Sequence, residues 1–298
     1  MANDRLRFPS ALVAGCLLLS LMCGSAAWTP RPPAEDISLR VMTFNLRYAG
    51  ASPPNAWTTR RPIMRDCIRD IAPDLMGTQE GLYQQLKDLA ADLPGYEWIG
   101  LGREGGSKGE YMAVFYRSDR FEPMAYDHFW LSDTPGIIGS STWGNTNRRM
   151  VTWVRFRERR TSREFFFWNT HLDNDVELAR QKGAALIVER AGQLKSDLPL
   201  ILTGDFNAAA GRSPTYDILV KNGNFSDTWT QAGERVNETL STFHGFKAPV
   251  HSGLRIDWIL TRGPVTVQKI EIVTCSAGGQ YPSDHFPVLT SLKLTVVR

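Results

Sequence analysis

Asn45, Glu80, His171, Asp205, Asn207, Asp257, Asp284 and His285 fall at or beside the ends of β-patterned runs of the sequence. Asn45 closes Met42-Thr43-Phe44-Asn45, and Glu80 follows Leu75 to Gln79. His171 closes Phe165 to Thr170, and Gly204-Asp205-Phe206-Asn207 closes the run through Thr203. Asp257 lies in Arg255-Ile256-Asp257-Trp258-Ile259, and Ser283-Asp284-His285-Phe286-Pro287 precedes the last apolar run. A single such residue is ordinarily a turn or cap residue. Carboxylates, carboxamides and two imidazoles gathered at successive strand ends exceed what turn chemistry requires. Glu80, Asp284 and the amide oxygen of Asn45 are hard oxygen donors suited to Mg²⁺ or Mn²⁺. Zinc is disfavoured, because thiols are few and no two histidines are closely spaced. The remaining groups can take a proton from water, give one to a leaving oxygen and donate to a phosphorus-bound oxygen, which is what phosphodiester hydrolysis needs.

The elements that would position these residues alternate along the chain. Ile37 to Asn45 reads as a strand. Ile63, Met64, Cys67, Ile68 and Ile71 recur at helical spacing until Pro73, and Leu82, Leu86, Leu89 and Leu93 form a second stripe. Strands follow at Trp98 to Leu101, Tyr111 to Arg117, Val151 to Phe156 and Phe165 to Leu172, with Arg157-Glu158-Arg159-Arg160 as a solvated hairpin tip. A helix over Val176 to Leu194 leads to Leu198 to Thr203, apolar on both faces and so central in its sheet. A short helix near Tyr216 to Val220 and strands at Arg255 to Thr261, Val265 to Val273 and Val288 to Val296 complete a layered α/β pattern without repeats.

Seven motifs stand in one order: Thr43-Phe44-Asn45, Gln79-Glu80, Gly109-Glu110-Tyr111, Asn169-Thr170-His171-Leu172, Gly204-Asp205-Phe206-Asn207, Arg255-Ile256-Asp257 and Ser283-Asp284-His285. Over Leu39 to Leu292 the sequence resembles the exonuclease/endonuclease/phosphatase superfamily of pancreatic-type deoxyribonuclease, bacterial sphingomyelinase, inositol polyphosphate phosphatases and poly(A) deadenylases. The resemblance implies a four-layer α/β sandwich, two packed mixed β-sheets flanked by helices, with the active site at one edge. It further implies Glu80 as main metal ligand, with Asn45 touching both metal and phosphate and Asp284 as a second metal or water contact. His285 resembles the base, oriented by Asp257, and Asp205 with Asn207 the water-positioning and transition-state groups. His171 resembles the second histidine, with Glu110 as its carboxylate partner, and Arg149 the arginine that steadies the phosphate. A carboxylate behind each histidine would raise its pKa.

His171 stands where apurinic-site nucleases of this superfamily carry tyrosine, which disfavours repair activity. Leu82 and Lys108 occupy the places of the pancreatic enzyme's groove-reading arginine and tyrosine, and no membrane-docking hydrophobic hairpin is evident. Trp57 before Arg60-Arg61-Pro62, Asn147-Arg148-Arg149 and Thr152-Trp153 look like exported bacterial members of the superfamily. Trp57, Trp130 and Trp143 are expected near the cleft, as stacking platforms or as core. The expectation is an exported phosphoesterase using Mg²⁺ or Mn²⁺ and cutting phosphodiesters, nucleic acid first. The alternatives are a phosphomonoester or lipid headgroup substrate, or a silent binding protein. No protein partner is implied.

Composition bounds the rest. The 298 residues carry 34 Lys+Arg against 31 Asp+Glu, a net +3 that shows no strong general attraction to polyanions. Arg5 and Arg7, the apolar stretch Phe8 to Met22 and the small residues Gly24 to Ala27 read as a signal peptide over 1–27. That stretch is shorter than the roughly 20 residues of a membrane span. Leu12-Val13-Ala14-Gly15-Cys16 offers lipidation as a minority reading. Residues 28–36, with Pro30, Pro32 and Pro33, read as a linker into a domain over 37–298. Cys67 and Cys275 would remain after cleavage, as a disulfide or as buried thiols.

Overall fold

Alternation along β1 (Ile37–Asn45) sends Ile37, Leu39 and Val41 to one face and Met42 and Phe44 to the other, and both faces are buried. A strand covered on both sides must lie in the middle of a stack of layers. The computed structural model describes residues 35–194 and 196–295, so the expected signal segment and most of the expected linker lie outside the described residues.

One sheet has seven strands in the order β10-β12-β13-β1-β2-β4-β3, where β2 is Leu75–Gln79, β3 Tyr96–Ile99, β4 Val114–Arg117, β10 Glu234–Val236, β12 Val265–Ile272 and β13 Val288–Leu294. The other has six, β5-β6-β7-β8-β11-β9, where β5 is Phe121–Trp130, β6 Met150–Glu158, β7 Glu164–His171, β8 Leu200–Asp205, β9 Ser226–Asp227 and β11 Asp257–Arg262. Both are mixed: β1 and β2 pair in parallel, as do β7 and β8, while most neighbours are antiparallel. The sheets bury Leu39, Val41 and Leu75 against Phe165, Phe167, Ile201 and Ile259. Helices α1 (Trp57–Ile71) and α2 (Tyr83–Asp92) cover the outer face of the first sheet through Met64, Ile68, Leu86 and Leu89. Helix α3 (Glu177–Gly192) covers the second through Ala184, Ile187 and Ala191. The molecule is the expected four-layer α/β sandwich.

Beneath the edge where β1, β2, β7 and β8 end, the interface between the sheets is polar. Asn169 accepts from Gln79 Nε2 at 2.7 Å and from Thr203 Oγ1 at 3.1 Å, and its own amide donates to the carbonyls of Thr78 and Ala113. The sheets approach so closely here that a Cβ on Gly77 would lie 2.0 Å from Thr203 Oγ1.

Several expectations change in detail: the short strands β9 and β10 have no counterpart in the sequence reading, and the strand expected at Trp98 to Leu101 lies at Tyr96–Ile99. The strand at Phe121–Trp130 was not anticipated: Pro123 and a register irregularity between Pro123 and Ala125 break its alternation. The strand expected from Tyr111 begins at Val114, because Tyr111 instead bridges Gly81 and Gly102. Cys67 and Cys275, left open above, form a disulfide between α1 and the segment after β12. Leu200–Asp205 is buried throughout and lies between β7 and β11, as its apolar pattern implied.

Candidate active site

Strand register brings the candidates together. Asp205, at the end of β8, stands opposite His171 of parallel β7 and Asp257 of antiparallel β11. In the other sheet Asn45 is level with Gln79, which places Glu80 beside it. Glu80 and Asn207 both adopt positive φ, +61° and +47°, conformations that non-glycine residues rarely hold without surrounding constraint.

Asn45 joins the two sheets. Its Nδ2 donates to Glu80 Oε1 and to Asp205 Oδ2, each at 2.9 Å, while its Oδ1 accepts from the Arg47 amide. The expected metal-facing oxygen is therefore turned away. The amide nitrogen occupies that side because it can bridge two carboxylates that would otherwise repel each other.

Around Asp205 the two imidazoles differ sharply. His285 faces Asp257 through Nδ1, 3.0 Å from Oδ2, and Asp205 through Nε2 at 3.7 Å. Burial alone would disfavour its charged form, but the adjacent charges of Asp257 and Asp205 outweigh burial and raise its pKa. The Asp205 carboxyl is pushed upward by burial and by Asp257. His171 Nε2 lies 3.0 Å from Asn207 Nδ2 and 3.5 Å from Asp205 Oδ2. Burial, then the nearby Arg149 cation, hold His171 well below its ordinary pKa, so it is neutral. The Asn207 amide donates to Leu172 O as well, which fixes its orientation.

This overturns the expected pairing of His171 with Glu110. Glu110 accepts from Arg103 Nη1 at 2.7 Å, and burial pushes its carboxyl upward. The nearer arginine satisfies it, so no carboxylate raises the pKa of His171 in the way Asp257 does for His285.

Arg149 is buried, and its Nη2 donates to Asn174 Oδ1 at 2.8 Å, while Nε and Nη1 make no hydrogen bond, Nε lying 4.0 Å from Asp173 Oδ2. Burial lowers its pKa. Asp284 is buried 3.7 Å from Arg47 Nε, and burial raises its carboxyl. These groups line one cavity of about 540 Å³ together with Tyr48, Arg103, Asn147, Asn174, Asn207 and Phe243. Asp257 stands behind His285 rather than in the lining. Arg47, Tyr48, Arg103, Asn174 and Phe243 were not among the sequence candidates. Arg47, Tyr48 and Asn174 lie within three residues of motif positions, and Arg103 and Phe243 carry no comparable signal. Tyr48 and Phe243 are exposed at 40% and 47%, although the Arg47 guanidinium lies over the Tyr48 ring and Phe243 packs edge-to-face against His285. Of the tryptophans, Trp57 and Trp130 are buried, bonded to Asp88 and to the Arg103 carbonyl, and Trp143 is tied to Asp133.

A divalent cation fits this donor set. Ligand atoms of Glu80, His171 and Asp205 lie within 4.8 Å of one another, as do those of Asp205, Asp257 and His285. Asp257 and His285 of the second group are engaged with each other, which leaves Asp205, shared by both groups, with Glu80 and Asp284 as oxygen donors. The Arg47 guanidinium lies 3.7 Å from both Glu80 and Asp284, so a positive charge already occupies the space between them.

A model of the Endonuclease/Exonuclease/phosphatase family matches residues 42–285, which include every residue described here. The chain belongs to that family. Its members hydrolyse phosphate esters with divalent metals. A family member from Bacteroides thetaiotaomicron is 33% identical, with a TM-score of 0.83 over 88% of this chain and 97% of its own. The mannosyl-6-phosphatase of Bacteroides thetaiotaomicron VPI-5482 is 35% identical, with a TM-score of 0.80 over 85% and 99%. A protein of Acanthamoeba polyphaga mimivirus is 30% identical over 195 residues, 62% of this chain and 68% of its own length. Among the described residues of this chain, no helix is long and apolar enough to cross a membrane.

Proposed function

We propose that this protein hydrolyses a phosphomonoester on a small polar molecule of the phosphorylated-sugar class, using a divalent metal such as Mg²⁺ or Mn²⁺. The observation that carries the reading is the cavity of about 540 Å³, whose lining includes Arg149, Arg103, Asn147, Asn174 and the half-exposed ring of Phe243. That volume falls in the range of small-molecule sites, about 300–1,000 Å³. Two carboxamides, two guanidinium groups and an aromatic ring in one lining offer hydrogen bonds to hydroxyls and an apolar surface to a sugar. The likeness to a mannosyl-6-phosphatase supports the same class. This departs from the diester favoured on sequence alone, which needs a groove open at both ends of the scissile phosphate.

In this reading Glu80 and Asp284 hold the cation, with Asp205 at its side. The cation, when bound, offsets the carboxylate field and polarises the phosphoryl oxygens. His285, aligned by Asp257, takes the proton of the attacking water, and Asp205 with Asn207 orients that water. Arg149, whose Nε and Nη1 make no hydrogen bond, faces the phosphoryl oxygens, where donors stabilise developing charge, and neutral His171 accepts from the Asn207 amide through Nε2 and so holds Asn207 in place. Glu110 acts through Arg103 and not through His171. We infer that the protein works in an oxidising compartment outside the cytoplasm, which the Cys67–Cys275 disulfide supports.

The test is a panel of hexose phosphates, nucleoside monophosphates, bis-p-nitrophenyl phosphate, plasmid DNA, RNA and sphingomyelin, with Mg²⁺, Mn²⁺ or EDTA. A hexose phosphate should give the highest kcat/KM, with activity abolished by EDTA and by His285→Ala. A diester turned over more efficiently than every monoester would refute the substrate class.

A further inference from the structure

Arg60 is fully buried in α1, yet it touches none of the reacting groups. A guanidinium has five N–H donors in a rigid fork. Here all five positions are spent on backbone carbonyls. Nε donates to Asn55 O at 2.9 Å, Nη1 to Leu46 O at 2.8 Å and Pro282 O at 2.7 Å, and Nη2 to Arg47 O and Tyr48 O, both at 2.9 Å. These carbonyls belong to two segments more than 200 residues apart in sequence. One leaves β1 just after Asn45, and its Tyr48 amide donates to Glu80 Oε2 at 3.3 Å. The other runs directly into Ser283-Asp284-His285. The segments meet where Ser283 Oγ donates to Asn45 O at 2.6 Å, and the same hydroxyl accepts from the His285 amide at 3.2 Å. Burial lowers the Arg60 pKa to about 10, partly opposed by the charges of Asp284 and Glu80, so the side chain stays cationic at neutral pH.

The same helix grips the second segment again. Cys67 lies seven residues beyond Arg60, two helical turns along one face, and its disulfide fastens Cys275. The stretch from Cys275 to Pro282 that delivers Asp284 and His285 is thus tied to α1 at both ends.

We propose that Arg60 is a positioning residue of the hydrolytic site: by clamping Leu46–Tyr48 and Pro282 to one guanidinium, it sets the distance between Asn45 with Glu80 and Asp284 with His285. The inference rests on the hydrolase reading above for its kinetic consequence, though not for its geometric one. Lysine preserves the charge but has three donors radiating from a point and cannot span five carbonyls. Misplacement by about 1 Å is enough to cost on the order of 100-fold in rate.

The experiment compares the full chain with Arg60→Lys and with Cys67→Ser/Cys275→Ser. It reads thermal unfolding, Mn²⁺ affinity by calorimetry without substrate, and kcat and KM on the best substrate of the panel. Folded Arg60→Lys should lose about 100-fold in kcat with KM within about 2-fold of wild type, and bind Mn²⁺ about 10-fold more weakly. The double cysteine variant should lose about 10-fold in kcat, again without a rise in KM. Unchanged kcat in folded Arg60→Lys, or a rise in KM in place of the loss, overturns the proposal. Should Arg60→Lys fail to fold, the cysteine variant decides by the same criteria. A wild-type protein inactive on every ester would instead sink the hydrolase reading, and the Mn²⁺ affinity of Arg60→Lys would still decide the positioning role, since an unchanged value overturns it.

Discussion

Replacing Cys67 and Cys275 by serine offers a quantitative test of what the disulfide contributes to stability. The bridge closes a loop between residues 208 positions apart. For a loop of that size the chain-entropy relation gives about 5 kcal/mol at ~25 °C, and measured losses on removing native disulfides run at about 2–5 kcal/mol. Taking about 3 kcal/mol, and about 2–4 °C per kcal/mol for a domain of this order of size, the serine variant should melt about 6–12 °C lower. Calorimetry or circular dichroism of wild type, with and without dithiothreitol, and of the variant would measure this. Reduced wild type should melt near the variant, and the variant should not respond to dithiothreitol. Melting of oxidised wild type and variant within about 2 °C would refute the reasoning, because it would show that this cross-link does not restrict the unfolded chain.

Three further outcomes are expected. Asp257→Asn removes the charge that most raises the His285 pKa and the acceptor of its Nδ1. kcat should fall by at least about 100-fold with little change in KM, read from steady-state kinetics. Gly77→Ala places a Cβ 2.0 Å from Thr203 Oγ1, which is fixed by Trp168 O and Asn169, so denaturant unfolding should show a loss of at least about 3 kcal/mol. His244, stacked on Phe286, is lowered from 6.5 to about 4 by burial, with a further lowering from His285 and partial opposition from hydrogen bonding to the Lys247 and Ser283 backbone. A depressed folded pKa means that the unfolded chain binds more protons in this window, so the contribution is complete above pH 6.5 and is lost as pH falls toward about 4. After discounting for solvent screening, wild type should lose about 1–2 kcal/mol more over that window than His244→Phe, which keeps every other titrating group. Equal slopes of stability against pH in the two proteins would refute the assignment.

The legible part of this molecule was the part governed by short-range pattern. β1 runs over Ile37–Asn45 as expected, because its apolar residues follow a period of two on each face and no Gly or Pro interrupts it. Every motif residue lies at a strand end or within a few residues of one, since a side chain leaving the last register position of a buried strand has only one edge to reach. Pairing was less legible. Glu110 is held by Arg103, seven residues earlier, across a turn whose shape no periodicity encodes. The Cys67–Cys275 bond joins a helix to a distant segment, and Phe243 enters the cavity from a loop without repeating pattern. β5 was missed because Pro123 and its irregular register disguise a strand as a loop.

The amide and hydroxyl network of Gln79, Asn169 and Thr203 belongs to neither sheet alone. It locks the two sheets against sliding beneath the site, and the proposed hydrolytic groups stand on or next to that floor. Asn147, Asn174 and Phe243 hang from the segments above it, outside the strands. The two sides of the lining differ in how they attach: Phe243 bridges His285 and packs on its ring, whereas Asn147 stands apart from the proposed hydrolytic groups and bonds Arg103 and Asn174. Exchanging the segment around Asn147 between relatives should change which phosphate ester is accepted while leaving the proposed bond-breaking groups in register.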